Sequence, residues 1–105
     1  MPSKSYRAWV RSYIEGNLKP LRKTLARDLG LTSAEKSLLE ARLLLKKKHL
    51  SLAQRKLEKL SVGIPFLEGE RNYLLGNVHF LSANFEKAIV CYNHALAAYR
   101  ESVEK

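Results

Sequence analysis

Residue types that commonly carry out chemistry are sparse in this sequence and rarely fall at useful spacings. His79, Cys91 and His94 are the only cluster of possible metal ligands, and Cys91 and His94 lie one helical turn apart. A zinc site needs three or four converging protein ligands. The sequence has no glycine-rich phosphate loop, nucleophile elbow or paired-histidine zinc motif. We therefore predict a non-enzymatic protein without metal or cofactor, in which Cys91 is a small core residue.

Positive charge is the second chemical feature, and it is concentrated in the first part of the chain. Residues 1–60 contain 15 Lys or Arg and 5 Asp or Glu, a net charge of +10, whereas residues 61–105 contain 4 and 5, a net charge of −1. Such a surface either attracts RNA, DNA or an anionic membrane, or only keeps the protein soluble. The basic surface would consist of Lys19, Arg22, Lys23, Arg27, Lys46, Lys47 and Lys48.

Length and composition indicate one helical domain. The chain has 105 residues, of which 46% are hydrophobic, and no segment alternates apolar and polar residues over the length of a strand. A single cysteine excludes an internal disulfide and favours a reducing compartment. The N-terminal residues lack a secretory signal, and no apolar run approaches the roughly 18 residues of a membrane span. We expect a cytoplasmic location.

Residues 73–96 predict two helices folded into an antiparallel hairpin. Residues 82–84 form a short turn between them. The small residues Gly76, Ala88 and Ala95 fall where the two helix axes approach each other. The predicted apolar face of the second helix consists of Phe85, Ala88, Ile89, Tyr92, Ala95 and Leu96.

Four further helices precede this hairpin. Thr32 and Glu35 form a capping box at the start of one of them, and Pro65 is placed where a helix would end. The fold class predicted from these elements is all-α, with stacked antiparallel hairpins and about six helices in total. The four preceding helices are predicted at residues 4–15, 18–29, 33–48 and 50–61.

The two C-terminal hairpins are related by an internal repeat. A shift of 35 residues places Ala41 on Gly76, Leu50 on Phe85, Ala53 on Ala88 and Leu57 on Tyr92. This pattern resembles the tetratricopeptide repeat, which has a period near 34 residues and a Leu-Gly…Ala…Phe…Pro signature. The residues that match its motif are Leu75, Gly76, Ala88 and Tyr92 in the second unit and Leu44, Ala53, Leu57 and Pro65 in the first. The resemblance divides the chain into a degenerate hairpin at about 4–30 and repeats at 33–65 and 68–103.

The resemblance implies a concave groove that binds a segment of another protein, as in adaptors, scaffolds and chaperone-like proteins. The family's carboxylate clamp requires a lysine where this sequence has Leu38 and Tyr73. The groove would instead be aromatic and aliphatic with two cations, Arg42 and Lys46, which would steer an acidic partner. Such a groove favours a partner helix or an apolar peptide with an acidic flank. The predicted groove residues are Leu38, Arg42, Leu45, Lys46, Tyr73, Asn77 and Phe80, with Tyr6, Val10 and Tyr13 as additions. An alternative is that several of these residues are ordinary core between repeats.

The last helix suggests another kind of interaction. Tyr99 and Val103 continue its apolar stripe beyond the repeat. Terminal helices of repeat proteins normally have a polar outer face. We therefore keep self-association through Tyr99 and Val103 as a further alternative.

Overall fold

The computed structural model describes residues 32–60 and 63–104. These residues form four helices and no strand, which confirms the all-α prediction for this part of the chain. The helices are α1 (Ser33–Lys46), α2 (Leu50–Lys59), α3 (Pro65–Leu81) and α4 (Phe85–Glu104). The two helices predicted at 4–15 and 18–29, including Tyr6, Val10 and Tyr13, lie outside the described residues. The six-helix arrangement therefore stays a prediction.

The capping box predicted at the start of α1 is present. The backbone N–H of Glu35 donates to the Thr32 hydroxyl oxygen at 3.2 Å, and the Thr32 N–H donates to a Glu35 carboxylate oxygen at 3.0 Å. These reciprocal bonds satisfy two backbone donors that the first turn of a helix would otherwise leave without partners.

Helices α1 and α2 form the first hairpin, and α3 and α4 form the second. The two hairpins close with the same turn, and the two turns are 35 residues apart. Lys48 and Ala83 both have a positive φ, +66° and +62°, a conformation that non-glycine residues rarely adopt. The N–H of His49 donates to the Leu44 carbonyl at 2.9 Å. The N–H of Asn84 donates to the equivalent His79 carbonyl at 2.8 Å. The repeat seen in the side chains is therefore also a repeat of backbone geometry.

Pro65 begins a helix, which differs from the predicted role. Helix α2 ends at Lys59, Leu60 caps it in an extended conformation, and Pro65 is the first residue of α3. A proline fits there because its missing N–H has no acceptor in the first turn and its fixed φ suits a helix.

Leucines from three helices form the core. Leu38 and Leu39 of α1, Leu57 of α2, and Leu67 and Leu74 of α3 have almost no exposed surface. Each fully buried side chain of this size contributes about 1.5–3 kcal/mol of transfer free energy. Helix α3 therefore holds the two hairpins together, since its leucines share one core cluster with those of α1 and α2.

Helix α4 buries only part of its predicted apolar face. Ala88 and Ala95 pack inward as expected, but Phe85, Ile89 and Leu96 are 54%, 58% and 57% exposed. The predicted apolar face of α4 is therefore only partly buried. Among the described residues α4 packs only on α3, and one neighbouring helix cannot cover so wide an apolar face.

Three aromatic pairs fix the register of α3 against α4. The ring centroids of Phe66 and Tyr99 are 5.6 Å apart, and those of Phe80 and Phe85 are 5.4 Å apart. The rings of Tyr73 and Tyr92 lie between them with centroids 5.9 Å apart. Each helix contributes one ring every seven residues, so a shift of one turn would break all three contacts.

Candidate functional site

A depression of about 390 Å³ lies beside the C-terminal ends of α1 and α3. Four of the seven predicted groove residues meet there, from two segments more than 30 residues apart in sequence. The residues lining the depression are Leu45, Lys46, Lys48, Asn77, Phe80 and Leu81. The structure thus places four of the seven predicted groove residues in one concave site.

The depression combines positive charge with an apolar wall. Lys46 and Lys48 are exposed, and within residues 32–60 and 63–104 no carboxylate forms an ion pair with either of them. The Phe80 ring is also exposed. Asn77 accepts a 2.6 Å hydrogen bond from the Tyr92 hydroxyl through its side-chain oxygen, so its amide nitrogen remains a possible donor to a ligand. This arrangement suits a carboxylate next to an apolar side chain.

Arg42 and Leu38 lie deeper than a groove position requires. Leu38 is fully buried. The buried Arg42 guanidinium donates to a Glu70 carboxylate oxygen at 2.8 Å, and the Tyr99 hydroxyl donates to the other oxygen of Glu70. Arg42 therefore joins α1 to α3 and α4 and has an internal carboxylate partner. Of the two cations expected to steer an acidic ligand, only Lys46 is exposed, next to the exposed Lys48.

Tyr73 lies outside the depression, on an exposed apolar surface. This surface extends from α3 over the exposed side of α4, and we call it the hairpin face. It consists of Tyr73, Phe80, Phe85, Ile89 and Leu96, all of which are at least 42% exposed. Extended apolar patches on a protein surface commonly mark interaction sites.

The two residues predicted for self-association have different environments. Tyr99 is half-buried, with its hydroxyl on Glu70 and its ring against Phe66. Val103 is 84% exposed and continues the line of Ile89 and Leu96 at intervals of seven residues. Only Val103 offers its side chain freely to another molecule.

The basic surface is described only in part. Lys46, Lys47 and Lys48 are exposed around the α1–α2 turn. The remaining predicted members, Lys19, Arg22, Lys23 and Arg27, lie outside the described residues.

A second depression, of about 480 Å³, was not predicted from the sequence. It lies between α1 and α2 and is bordered by three cationic side chains, one of which, Lys56, pairs with Glu40 at 3.1 Å. The residues lining it are Ser37, Leu44, Leu52, Arg55, Lys56, Lys59 and Leu60. Leu52 beside the basic face of α2 was a sequence signal for this site. Periodicity within α2 does not show, however, that α1 forms the other wall of the depression.

The possible metal ligands do not form a site. His79 and Cys91 are half-buried and His94 is exposed. Across the part of the chain that the structure describes, no group of three His, Cys, Asp or Glu side chains is arranged to hold a metal ion. Burial raises the pKa of the Cys91 thiol, and the positive charge of Arg71 opposes this only in part. The reactive thiolate is therefore disfavoured at neutral pH.

A seven-residue recurrence in α3 was also missed in the sequence. The segments that begin at Phe66, Tyr73 and Phe80 read FLEGE, YLLGN and FLSAN. Their aromatic residues form the three ring pairs with α4. Gly69 and Gly76 lie against the rings of α4. The recurrence is visible in the sequence, but the sequence of α3 alone does not show that its aromatic residues pair with rings of α4.

Comparisons with known proteins provide no assignment. No helix in residues 32–60 and 63–104 has the length and apolar content needed to cross a membrane. Searches against protein-family models, curated proteins and solved structures found no match to this chain. The tetratricopeptide resemblance therefore stays a prediction.

Proposed function

We propose that this chain is a non-catalytic protein-interaction module, built from tetratricopeptide-like helical hairpins, that binds a helix or an apolar peptide segment of another protein. The observation that carries this proposal is the hairpin face and its position beside the lysine-lined depression. An adaptor or scaffold needs an apolar surface that excludes water from the interface. Charged residues at its edge, here Lys46 and Lys48, would orient the ligand.

The binding energy would come from the aromatic side chains. Tyr73 and Phe80 retain large exposed areas, and fully burying a side chain of this size is worth about 1.5–3 kcal/mol. Lys46 and Lys48 would add orientation and faster association for a ligand with an acidic flank. Arg42 would act indirectly, because its bond to Glu70 fixes α3 against α1.

Polyanion binding through the basic surface is the main alternative. It predicts affinity that falls steeply as salt rises, because each neutralised phosphate releases counterions. Polyanion binding gives no role to the hairpin face, because none of its five residues is a cation. Self-association through α4 is the other alternative, and the exposure of Val103 is the observation that favours it.

Site-specific photo-crosslinking tests the proposed surface. We expect benzoylphenylalanine at position 80 to give a discrete protein adduct in lysate of the source organism, because the Phe80 side chain is 55% exposed and would lie in the interface. The matched control carries the crosslinker at position 52, since Leu52 is 50% exposed but borders the other depression. The position 80 adduct should survive nuclease and should be absent from the position 52 sample.

Two results would contradict the proposal. Identical adducts from positions 80 and 52 would show that the hairpin face is not selective. Adducts that disappear on nuclease treatment would show that nucleic acid, not protein, occupies this surface.

A further inference from the structure

We propose that the hairpin face receives one amphipathic α-helix of a partner protein, in the register that α3 adopts on the first hairpin. This inference rests on the proposed function and specifies the conformation and side-chain pattern of the ligand. The internal repeat carries it, because the chain contains one occupied and one exposed copy of the same helix-binding surface.

The occupied copy is the packing of α3 on α1 and α2. Leu67, Leu74 and Val78 are buried in the shared core. Glu70 forms the ion pair with Arg42, and the Arg71 side chain donates to the Leu57 carbonyl at 2.8 Å. An apolar ridge with two adjacent polar contacts, at Glu70 and Arg71, thus recognises the first hairpin.

The exposed copy is formed by the equivalent positions 35 residues later. The repeat relates Leu38, Arg42 and Leu45 of α1 to Tyr73, Asn77 and Phe80 of α3. The first three are buried, whereas Tyr73 and Phe80 are exposed. The same shift relates the half-buried Leu50 and Gln54 to the exposed Phe85 and Ile89. Each of these positions is more exposed in the second hairpin than in the first, on which α3 packs, so a helix is the shape that fits the second.

One position that differs between the two hairpins, Arg42 in the first and Asn77 in the second, defines the chemistry of the partner helix. Asn77 stands where the first hairpin has Arg42, so the partner should carry a neutral hydrogen-bonding side chain at the position of Glu70. A carboxylate there would be buried without a cation, which is unfavourable. Apolar residues should occupy the three positions spaced like Leu67, Leu74 and Val78, seven and then four residues apart.

A second copy of this chain is a poorer source for such a helix. In each copy the matching apolar ridge of α3 is already buried, and Leu39 of α1 is fully buried as well. Within residues 32–60 and 63–104, the exposed apolar stripe that a second copy could offer without unfolding is that of Ile89, Leu96 and Val103 on α4. Light scattering therefore tests for a dimer through α4.

The probe is a synthetic peptide with the sequence of residues 65–81 and the change Glu70→Gln, titrated into the full chain. Because α3 fits the first hairpin, this peptide should bind the second and gain helical structure, as measured by fluorescence anisotropy and circular dichroism. Ile89→Asp should weaken binding by about tenfold or more, since it places a charge in the interface. Val90→Asp is the matched control and should change affinity by less than about twofold, because Val90 is 53% exposed, close to the 58% of Ile89, but lies on another side of α4.

A charge exchange tests the register itself. Asn77→Arg recreates the first hairpin's cation and should reverse the peptide preference, so that the unchanged peptide, which retains Glu70, binds about tenfold more tightly than the Glu70→Gln peptide. Thermal melting of each variant verifies that the fold is retained.

Three outcomes would overturn the inference. These are no binding of the peptide, binding without helix gain or without sensitivity to Ile89→Asp, and a stable wild-type dimer in light scattering that Ile89→Asp dissociates. Each can occur while the crosslink from position 80 still identifies a protein partner, so failure of this inference is distinguishable from failure of the proposed function.

Discussion

Glu70→Ala is expected to lower the free energy of unfolding by about 3–5 kcal/mol, the range measured when one member of a buried ion pair is removed. Glu70 joins three helices, because its carboxylate accepts from the Arg42 guanidinium at 2.8 Å and from the Tyr99 hydroxyl. Without Glu70 the Arg42 charge stays buried and loses this carboxylate. Urea denaturation followed by circular dichroism measures the change.

The exposed pair Lys56–Glu40 provides a matched control. Its side chains are 33% and 38% exposed, so Glu40→Ala should cost less than about 1 kcal/mol. The double variant Arg42→Met with Glu70→Leu should recover most of the loss, because apolar residues of similar volume can replace a buried pair. Equal destabilisation by Glu70→Ala and Glu40→Ala would contradict the role assigned to the buried pair.

Gly76→Ala is expected to destabilise the protein by about 1–3 kcal/mol through overpacking. A Cβ at residue 76 would lie 2.4 Å from the Tyr92 ring, so the ring would have to move and would weaken its hydrogen bond to Asn77. Alanine favours a helix over glycine by roughly 0.8–1 kcal/mol, so a net loss requires the steric effect to be larger. Thermal unfolding monitored by circular dichroism measures the balance.

Two further variants isolate this steric effect. Gly63→Ala is the control, because nothing lies within 4 Å of its added Cβ, and it should change stability by less than about 0.5 kcal/mol. Tyr92→Leu combined with Gly76→Ala should be less destabilised than the sum of the two single changes. A Gly76→Ala variant as stable as wild type would show that α3 and α4 are less closely packed than described.

Local patterns in the sequence predicted much of the described fold. The capping box at Thr32 and the small residues Gly76 and Ala88 depend on neighbours within one hairpin, so periodicity and spacing were sufficient to locate them. The position of Pro65 was also correctly seen as a boundary. We predicted that Pro65 ends a helix, whereas it begins the next one. Choosing between these two positions required the backbone conformation before Pro65.

Contacts between hairpins could not be predicted in the same way. Arg42 and Glu70 are 28 residues apart, and no local signal distinguishes an arginine that lines a groove from one that meets a buried carboxylate. The exposure of Ile89 and Leu96 has a similar cause, because periodicity defines an apolar face but not whether a neighbour covers it. The proximity of Lys46, Asn77 and Phe80 in one depression could be predicted from the sequence, because the repeat aligns the ends of α1 and α3.

The most direct test of the proposed function is capture of partners from a nuclease-treated lysate of the source organism, followed by mass spectrometry. The test variant is Tyr73→Ala with Phe80→Ala, which removes two exposed rings from the hairpin face. The matched controls are Leu52→Ala and a charge-reversed variant with Lys19, Arg22 and Lys23 changed to Glu. Thermal melting of each variant establishes that the fold is intact.

We predict that wild type and both controls recover the same protein, and that the Tyr73→Ala, Phe80→Ala variant loses it by at least about tenfold, as expected for two anchor residues of an interface. Undiminished capture by that variant, with loss of all partners on charge reversal, would contradict the account and assign the function to the basic surface.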